Sequence, residues 1–449
     1  MLRSKFALLL LCVFVAPDAM RSRQTRVPAL DVIEAFDRIA RADLWPGFRP
    51  DTIPLAIFDG TRTWLAHHPS PPAEFASIPI APGILVMEGR HPAVTANSTA
   101  TIGGRTVATL IPKQTERNAA GWASVAAHEA FHAFQRIRHP SWQANEATLF
   151  TYPWEQVDAL AARRLEFEAL RRALAAPDEA TAACWASVAM GTRNARFAAI
   201  GADAAAYERR SELNEGTAQY VQLRAAGTDA LSAMPTTEFA PSGVRDRVYA
   251  AGAAMGQLLD RLHPSWRQEL ELADSAASVD DALRKAAVGR AAVPRCDFAS
   301  LEREQARATA VRDIEKLRRT LATMGKDYLT RPGWSVVIDA GRSLDVSGFD
   351  PLNVARLSAT AVLHMRYIKL QNDAGVFESI GHAVLTEAAG NHPLFSGVRR
   401  VVMTGLQQAP VVEETGDALK LKIGEAMLSF RGASLHRDGQ RLTVRIPAR

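Results

Sequence analysis

The sequence has little of what would mark a disulfide scaffold, a nucleic-acid-binding protein or an integral membrane protein. Its 449 residues include only 3 cysteines, none in a CxxC pair, so a cysteine-based metal site is not expected. Only 8 of the 53 basic residues are lysine, and the net charge of +5 is spread along the chain. We therefore expect no nucleic-acid partner. No apolar run reaches about 18 residues, so we expect no membrane span in the mature chain.

What remains is the composition of a globular protein, with 47% hydrophobic and 22% charged residues. Because a single core rarely grows beyond about 250–300 residues, the length allows two or three domains. Once a signal segment is removed, Cys184 and Cys296 are the remaining cysteines. They can form one disulfide in an oxidising compartment, and two buried free thiols fit the sequence equally well.

Residues 1–20 have the layout of a secretory signal peptide. Arg3 and Lys5 precede an apolar run over residues 6–16, which is too short for a stable membrane span. The mature protein is therefore expected to be secreted or periplasmic.

The central motif is His128-Glu129-Ala-Phe-His132. Asn118 is a suitable helix cap, and Pro140 predicts the end of the helix. Residues four apart lie on one helical face, so His128 and His132 can converge on one ion. Zn²⁺ accepts imidazole nitrogens and keeps a position for water in catalytic sites. Glu129 would then lie where it can accept a proton from that water.

Residues 207–220 predict a second helix, with a carboxylate beside small residues. Glu215 is followed by Gly216 and Ala218, whose small side chains would let this helix approach a metal closely. Glu208 and Glu212 are rivals, because both point roughly the same way on a helix.

A His-Glu-x-x-His motif followed by Asn214-Glu215-x-x-Ala218 resembles the gluzincin metallopeptidases, above all their aminopeptidase-type branch. The resemblance implies one zinc per chain, bound by His128, His132 and Glu215. It also implies that Glu129 is the general base in peptide-bond hydrolysis, with a peptide or protein as substrate.

Tyr249-Ala-Ala-Gly252 resembles the Tyr-x-x-Gly helix start that follows the glutamate helix in those enzymes. There the phenol donates to the tetrahedral intermediate, which implies a catalytic role for Tyr249. Arg245 and Arg247 are alternatives for that role. The resemblance covers roughly residues 120–262, about a third of the chain.

One feature of the aminopeptidases is incomplete in this chain. Their Gly-x-Met-Glu-Asn segment holds the substrate amino terminus, whereas this sequence reads Val86-Met87-Glu88-Gly89, with glycine in the asparagine position. Aminopeptidase specificity therefore does not follow.

The periodicity around the motif predicts one amphipathic helix over 27–44 and strands at 53–58, 61–65, 84–87, 93–102 and 105–111. Asp59-Gly60 and Gly103-Gly104 supply hairpin turns. In gluzincins an edge strand of this sheet pairs with the substrate, and 105–111 or its hairpin partner is the candidate. A purely structural hairpin is the alternative. His67-His68 is interpreted as part of a solvated loop.

Further helices are predicted over 152–174, 180–200 and 265–325, with the charges of the first two mostly on a solvated face. Glu166 and Glu168 are therefore not expected to be ligands. Beyond residue 330 the pattern changes to short strands, predicted at 334–339, 361–370, 382–387, 399–403, 418–423, 426–431 and 441–446.

The predicted organisation is a signal peptide (1–20), an N-terminal helix and β-sheet subdomain (21–118), a helical zinc-binding catalytic region (119–330) and a C-terminal β-rich domain (331–449). The fold class is α+β with a zincin-like core. Two alternatives stay open: a non-catalytic binding or scaffold protein that retains a zincin fold, and a metallohydrolase acting on a non-protein amide. Substrate preference and oligomeric state do not follow from the sequence.

Overall fold

A computed structural model describes residues 29–79, 81–112, 117–234, 240–273, 277–288, 296–350, 353–390 and 392–448. The predicted signal peptide (1–20) lies outside these residues. Clustering of contacts divides the chain into two units, residues 1–42 with 49–133 and residues 43–48 with 134–449.

The helices of the described residues are, in chain order, α1 Ala29–Ile39, α2 Ala119–Arg138, α3 Val157–Leu174, α4 Glu179–Ile200, α5 Ala202–Ser211, α6 Thr217–Ala226, α7 Ala230–Ala233, α8 Val244–Leu262, α9 Trp266–Leu272, α10 Val279–Val288, α11 Ser300–Leu329 and α12 Pro393–Ser396. A π-helical turn, Glu212–Gly216, joins α5 to α6.

The strands are β1 Leu55–Phe58, β2 Arg62–Ala66, β3 Ala76–Ser77, β4 Leu85–Glu88, β5 Ser98–Ile102, β6 Arg105–Leu110, β7 Trp334–Phe349, β8 Val354–Arg356, β9 Ala361–His364, β10 Tyr367–Asn372, β11 Gly375–Ile380, β12 Val384–Glu387, β13 Val398–Leu406, β14 Val411–Thr415, β15 Ala418–Ile423, β16 Ala426–Arg431, β17 Ser434–Asp438 and β18 Arg441–Ile446.

The first unit is built on a sheet with the order β3-β4-β2-β1-β6-β5. β1 pairs with β2 through the turn at Asp59-Gly60, and β5 pairs with β6 through Gly103-Gly104, so both predicted hairpins are confirmed. Gly103 and Gly104 have φ values of 53° and 74°, which glycine adopts without steric cost. A core that includes Ala56, Leu65 and Val107 covers this sheet.

The order of the strands in this sheet distinguishes between the two candidates for the edge strand that would pair with substrate. β6 lies between β1 and β5 and is therefore internal, which excludes 105–111 as the edge and leaves its hairpin partner. Its hairpin partner β5 is an edge strand of the described sheet. The reason is that β6 pairs in parallel with β1, a long-range contact that local periodicity does not encode.

His67-His68 lies in a loop, as predicted, but both side chains are half-buried and have partners. His67 Nε2 lies 2.9 Å from Asp37 Oδ1, and its ring stacks on Phe36. His68 Nε2 lies 3.0 Å from the carbonyl oxygen of Ile102. Both rings thus anchor the loop to neighbouring elements.

The second unit contains α3 to α11 followed by the C-terminal strands. α3 and α4 pack against each other, and α11 packs along α3. A disulfide joins Cys184 of α4 to Cys296, with the Cα atoms 5.8 Å apart and a sequence separation of 112. Of the two alternatives left open by the sequence, the structure therefore has the disulfide.

The C-terminal region is β-rich, as predicted. Its central strand is β7, whose 16 residues pair with β10, β13 and β18. The inward side chains of these strands form one core, which includes Ile338, Leu370, Phe377 and Val401. The protein is thus α+β with a C-terminal β-rich sheet domain. None of the described helices is both long and apolar enough to cross a membrane.

His364 and His392 make the stability of the C-terminal region dependent on pH. Burial lowers the pKa of each ring from 6.5 to about 4, and a nearby charge adds to the shift, that of His392 for His364 and that of Arg356 for His392. Between pH 6.5 and 4 the unfolded chain binds more protons than the folded chain, so the free energy of unfolding should fall as pH is lowered through this window.

We expect His364→Gln to make this fall shallower, because glutamine does not titrate. The matched control is His436→Gln, since His436 is exposed and its replacement should leave the pH dependence as in the wild type. Urea unfolding at several pH values measures the effect. Parallel curves for His364→Gln and the wild type would contradict it.

Candidate metal centre

The histidine motif lies on helix α2, as predicted. The helix begins after Asn118, whose side-chain oxygen accepts a hydrogen bond from Gly121 N at 2.8 Å, and it ends at Arg138 before Pro140. His128 and His132 lie on one face, with their Nε2 atoms 3.1 Å apart. His128 is 6% exposed and Glu129 8%. The local part of the prediction, a helix with two imidazoles side by side, is confirmed.

Glu215 lies in the π-helical turn between α5 and α6. Each of His128, His132 and Glu215 offers one ligand atom, and these atoms all lie within 4.8 Å of one another. Single π turns inside helices are frequent at functional sites, because they turn one side chain out of the α-helical sequence of positions. The second helix predicted from the sequence is therefore interrupted by a π-helical turn at Glu215.

The two rival carboxylates are engaged in a buried ion network. Its members are each at most 3% exposed, and they are Arg163, Glu166, Arg193, Arg196, Glu208, Glu212 and Asp280. Arg193 pairs with Glu212, and Arg163 Nη2 lies 2.7 Å from Glu208 Oε2. Burial by itself would raise the pKa of Glu208, but Arg163 and Arg196 hold it below its ordinary value. Glu208 and Glu212 therefore serve the network, which leaves Glu215 beside the histidines.

The same network corrects the interpretation of α3 and α4 as helices with a mostly solvated charged face. Glu166 is fully buried and accepts hydrogen bonds from Arg163, Arg193 and Arg196 at 2.7, 2.7 and 2.9 Å. Charges at helical spacing can face a neighbouring helix as well as solvent, and the spacing alone does not distinguish the two. Glu168 keeps a partly exposed position and pairs with Arg172.

Gly216 is small for a reason other than the predicted close approach to a metal. A Cβ added at Gly216 would lie 2.7 Å from the Cα of Gly252, and one added at Gly252 would lie 2.5 Å from the Cα of Gly216. These distances are far below van der Waals contact, so the backbones of α8 and the π turn touch only because both residues are glycine. The glycine of the Tyr-x-x-Gly element is thus a packing residue.

This contact brings the start of α8 alongside Glu215. Arg245 Nη2 donates to Glu215 Oε1 at 2.7 Å and approaches Tyr249 Oη at 3.4 Å. Its other terminal nitrogen lies 3.0 Å from Glu146 Oε2. Arginine carries a permanent charge and a rigid fork of donors, so it orients the carboxylate.

Tyr249 lies beside the carboxylate of Glu215. Burial raises the pKa of Tyr249, and the charge of Glu215 and a hydrogen bond to it raise the pKa further. The phenol therefore keeps its proton and can act as a donor. Arg247, the other alternative, donates instead to the carbonyl oxygens of Ala240 and Pro241 at 2.5 and 3.1 Å, which makes it a loop anchor.

Sequence reasoning missed two residues of this region, Glu146 and Gln135. Glu146 contacts Arg245 and accepts a hydrogen bond from Tyr207 at 3.3 Å, and nothing in its local sequence indicates either contact. Gln135 had a signal, because it is a polar residue at the spacing of the histidine face. Glu88, considered as an amino-terminal anchor, is 74% exposed and pairs with Arg62.

The donor set could hold a metal ion, and its chemistry suits zinc. Two imidazoles and one carboxylate are a known catalytic zinc set, and ligand atoms about 2.05 Å from a tetrahedral ion lie about 3.3 Å from each other. The 3.1 Å between the two imidazole nitrogens agrees with that spacing. Without a shared cation, two neutral imidazoles at this distance have one hydrogen bond between them.

Comparisons with known proteins found no matching family model, no matching curated protein and no matching solved structure. The support for the site is therefore the chemistry and geometry of this chain's own residues.

The glycine contact predicts a difference between two substitutions of helical glycines. Gly252→Ala forces α8 away from the π turn, so we expect a loss of about 1–3 kcal/mol in the free energy of unfolding. Gly191→Ala is the matched control, because Gly191 lies within α4 with open space around it. There we expect no loss, or a gain of about 0.5–1 kcal/mol. Urea unfolding measures both, and equal effects would argue against the close contact.

Proposed function

We propose that this chain is an exported zinc-dependent peptidase, in which His128, His132 and Glu215 bind one zinc ion and Glu129 is the general base. The observation that carries the proposal is the convergence of three ligand atoms within 4.8 Å, on a helix and a turn that are far apart in sequence. Under this proposal the core is zincin-like, and the order of the motif residues along the chain agrees with the resemblance to gluzincins.

Zinc, when bound, would supply Lewis-acid chemistry, lowering the pKa of water and polarising a carbonyl group. The chain's own residues would supply the proton transfers. Glu129 follows a ligand on the same helix and is 8% exposed, so its carboxylate is shielded from bulk solvent. It would accept a proton from the attacking water and pass it to the leaving amine.

Tyr249 and Arg245 would stabilise negative charge as it develops on the substrate oxygen. The phenol stays protonated at neutral pH because burial and Glu215 raise its pKa. Arg245 is one-third exposed and lies 2.7 Å from Glu215, so it can face substrate while it orients the ligand. Donors that meet charge only in the transition state increase the rate of the chemical step.

A peptide substrate is favoured over a non-protein amide by the sheet of the first unit. β5 is an edge strand of the described sheet, and its side chains are half-buried or exposed apart from Ile102. The free backbone groups of an edge strand can pair with an extended peptide, which a non-protein amide does not offer.

Export is supported by the disulfide between Cys184 and Cys296. Structural disulfides persist in oxidising compartments and are rare in the reducing cytosol. Together with the predicted signal peptide at residues 1–20, this supports a secreted or periplasmic protein.

The ligand assignment predicts the metal content of purified protein. We expect about one zinc per wild-type chain, and a large loss of zinc in Glu215→Ala, because one of the three protein ligands is removed. The matched control is Glu88→Ala, since Glu88 is exposed and pairs with Arg62. Elemental analysis after dialysis measures the content. Zinc retained in full by Glu215→Ala would show that this carboxylate is not a ligand.

If Glu129 is the general base, replacing it should slow turnover without changing metal binding. Glu129→Gln keeps the shape of the side chain but cannot accept the proton, so we expect normal zinc content and hydrolysis slower by about 10²–10⁴-fold. Hydrolysis of a fluorescence-quenched random peptide library measures turnover. Equal rates in the variant and the wild type would refute the catalytic role of Glu129 and favour a non-catalytic binding protein.

A further inference from the structure

Gln135 makes an unusual set of contacts with the turn that carries Glu215. Its carboxamide nitrogen donates to the carbonyl oxygens of Leu213 and Asn214 at 3.1 and 2.9 Å, and to Thr217 Oγ1 at 2.9 Å. All three acceptors belong to the π turn or to the first residue of α6. The side chain is 2% exposed, so these acceptors take the place of water.

The position of Gln135 on α2 gives these contacts a consequence for the site. Gln135 follows His132 by one helical turn and His128 by two, which places it within about 60° of both histidines around the helix axis. The helical face that presents the two imidazoles therefore also presents this carboxamide. On this face, His128 and His132 supply the two imidazoles. Gln135, one turn further along the helix, bonds to the turn that carries Glu215.

The backbone of the π turn has an irregular hydrogen-bond pattern. The N–H of Thr217 bonds to the carbonyl oxygens of both Glu212 and Asn214, so the backbone pattern here departs from that of an α-helix. Thr217 Oγ1 also donates to the carbonyl oxygen of Leu213, at 2.5 Å. Side chains thus bond to the two carbonyl groups just before Glu215, and among them Gln135 comes from α2.

We propose that Gln135 is a positioning residue that holds Glu215 within reach of an ion bound by His128 and His132. The proposal rests on the metal centre proposed above and assigns to Gln135 a role in metal affinity. Outer groups that orient the ligands of a metal typically change its affinity by about 10–100-fold when they are removed.

The test compares two glutamines that bond to backbone in similar ways. Gln135→Met keeps the length of the side chain and removes its donors. Gln257→Met is the matched control, because Gln257 on α8 accepts from Ala230 N at 2.7 Å and donates to the carbonyl oxygen of Thr228 at 3.1 Å. Both substitutions remove hydrogen bonds to the backbone, but only Gln135→Met removes bonds to the turn that carries Glu215.

Co²⁺ is the probe, added to the metal-free full-length chain and followed by its visible absorption and by competition with a chromophoric chelator. We expect Gln135→Met to weaken Co²⁺ binding by about 10–100-fold and to change the absorption bands. Gln257→Met should bind Co²⁺ as the wild type does. Circular dichroism checks that each variant is folded.

If Gln135→Met does not fold, Thr217→Val removes the hydroxyl that accepts from Gln135 and tests the same link. We expect it to weaken Co²⁺ binding as well. Equal affinity and equal spectra in the wild type and the folded variant would overturn the role of Gln135 while leaving the metal centre intact. Absence of Co²⁺ binding in the wild type would overturn the metal centre and this inference together.

Discussion

The candidate site depends on one backbone contact, that of Gly216 with Gly252. Because neither residue has a Cβ, α8 lies directly against the π turn, and this closeness places Arg245 and Tyr249 beside Glu215. A Cβ at either position would lie within 2.7 Å of the opposite Cα, so a larger side chain would push the two segments apart. The relative positions of Glu215, Arg245 and Tyr249 therefore follow from the close packing of these two glycines.

Around this contact the helical region contains a buried ion network as well as apolar packing. Four carboxylates of the ion network face Arg163, Arg193 and Arg196, and the partly exposed Arg209 adds a fourth positive charge near Asp280. Removing so many charges from water costs several kcal/mol per ion unless each is paired and hydrogen-bonded. The network ties α3, α4, α5, the π turn and α10 together, since each contributes a member. It also explains why three glutamates at similar spacing, Glu208, Glu212 and Glu215, have different roles.

Much of the secondary structure could be predicted from local pattern. The predictions that failed concern strands whose extent is set by the strands they pair with. β7 was predicted to end at 339 but continues to Phe349 through Gly341 and Gly348. A Cβ at Gly341 would lie 2.8 Å from the carbonyl oxygen of Ile446, so this glycine marks close approach of β18 and not a turn. The strands that were missed, β3, β8, β11, β14 and β17, have mostly exposed or half-buried residues, and their pairing partners define them.

The sequence by itself determined what depends on neighbours along the chain: the capped helix α2, the placement of His128 and His132 on one face, the two hairpins of the first sheet, and the change to β structure after residue 329. These follow from periods of 3.6 and 2 and from turn residues, which act within a few positions. The tertiary structure decided what the motif resemblance only implied, that Glu215 and not Glu208 or Glu212 lies by the histidines. It alone decided that Arg245 bonds the carboxylate of Glu215, that Gln135 bonds its turn, and that Cys184 meets Cys296. Those choices depend on which buried charges find partners and on how closely two backbones approach, and both are set by residues far apart in the chain.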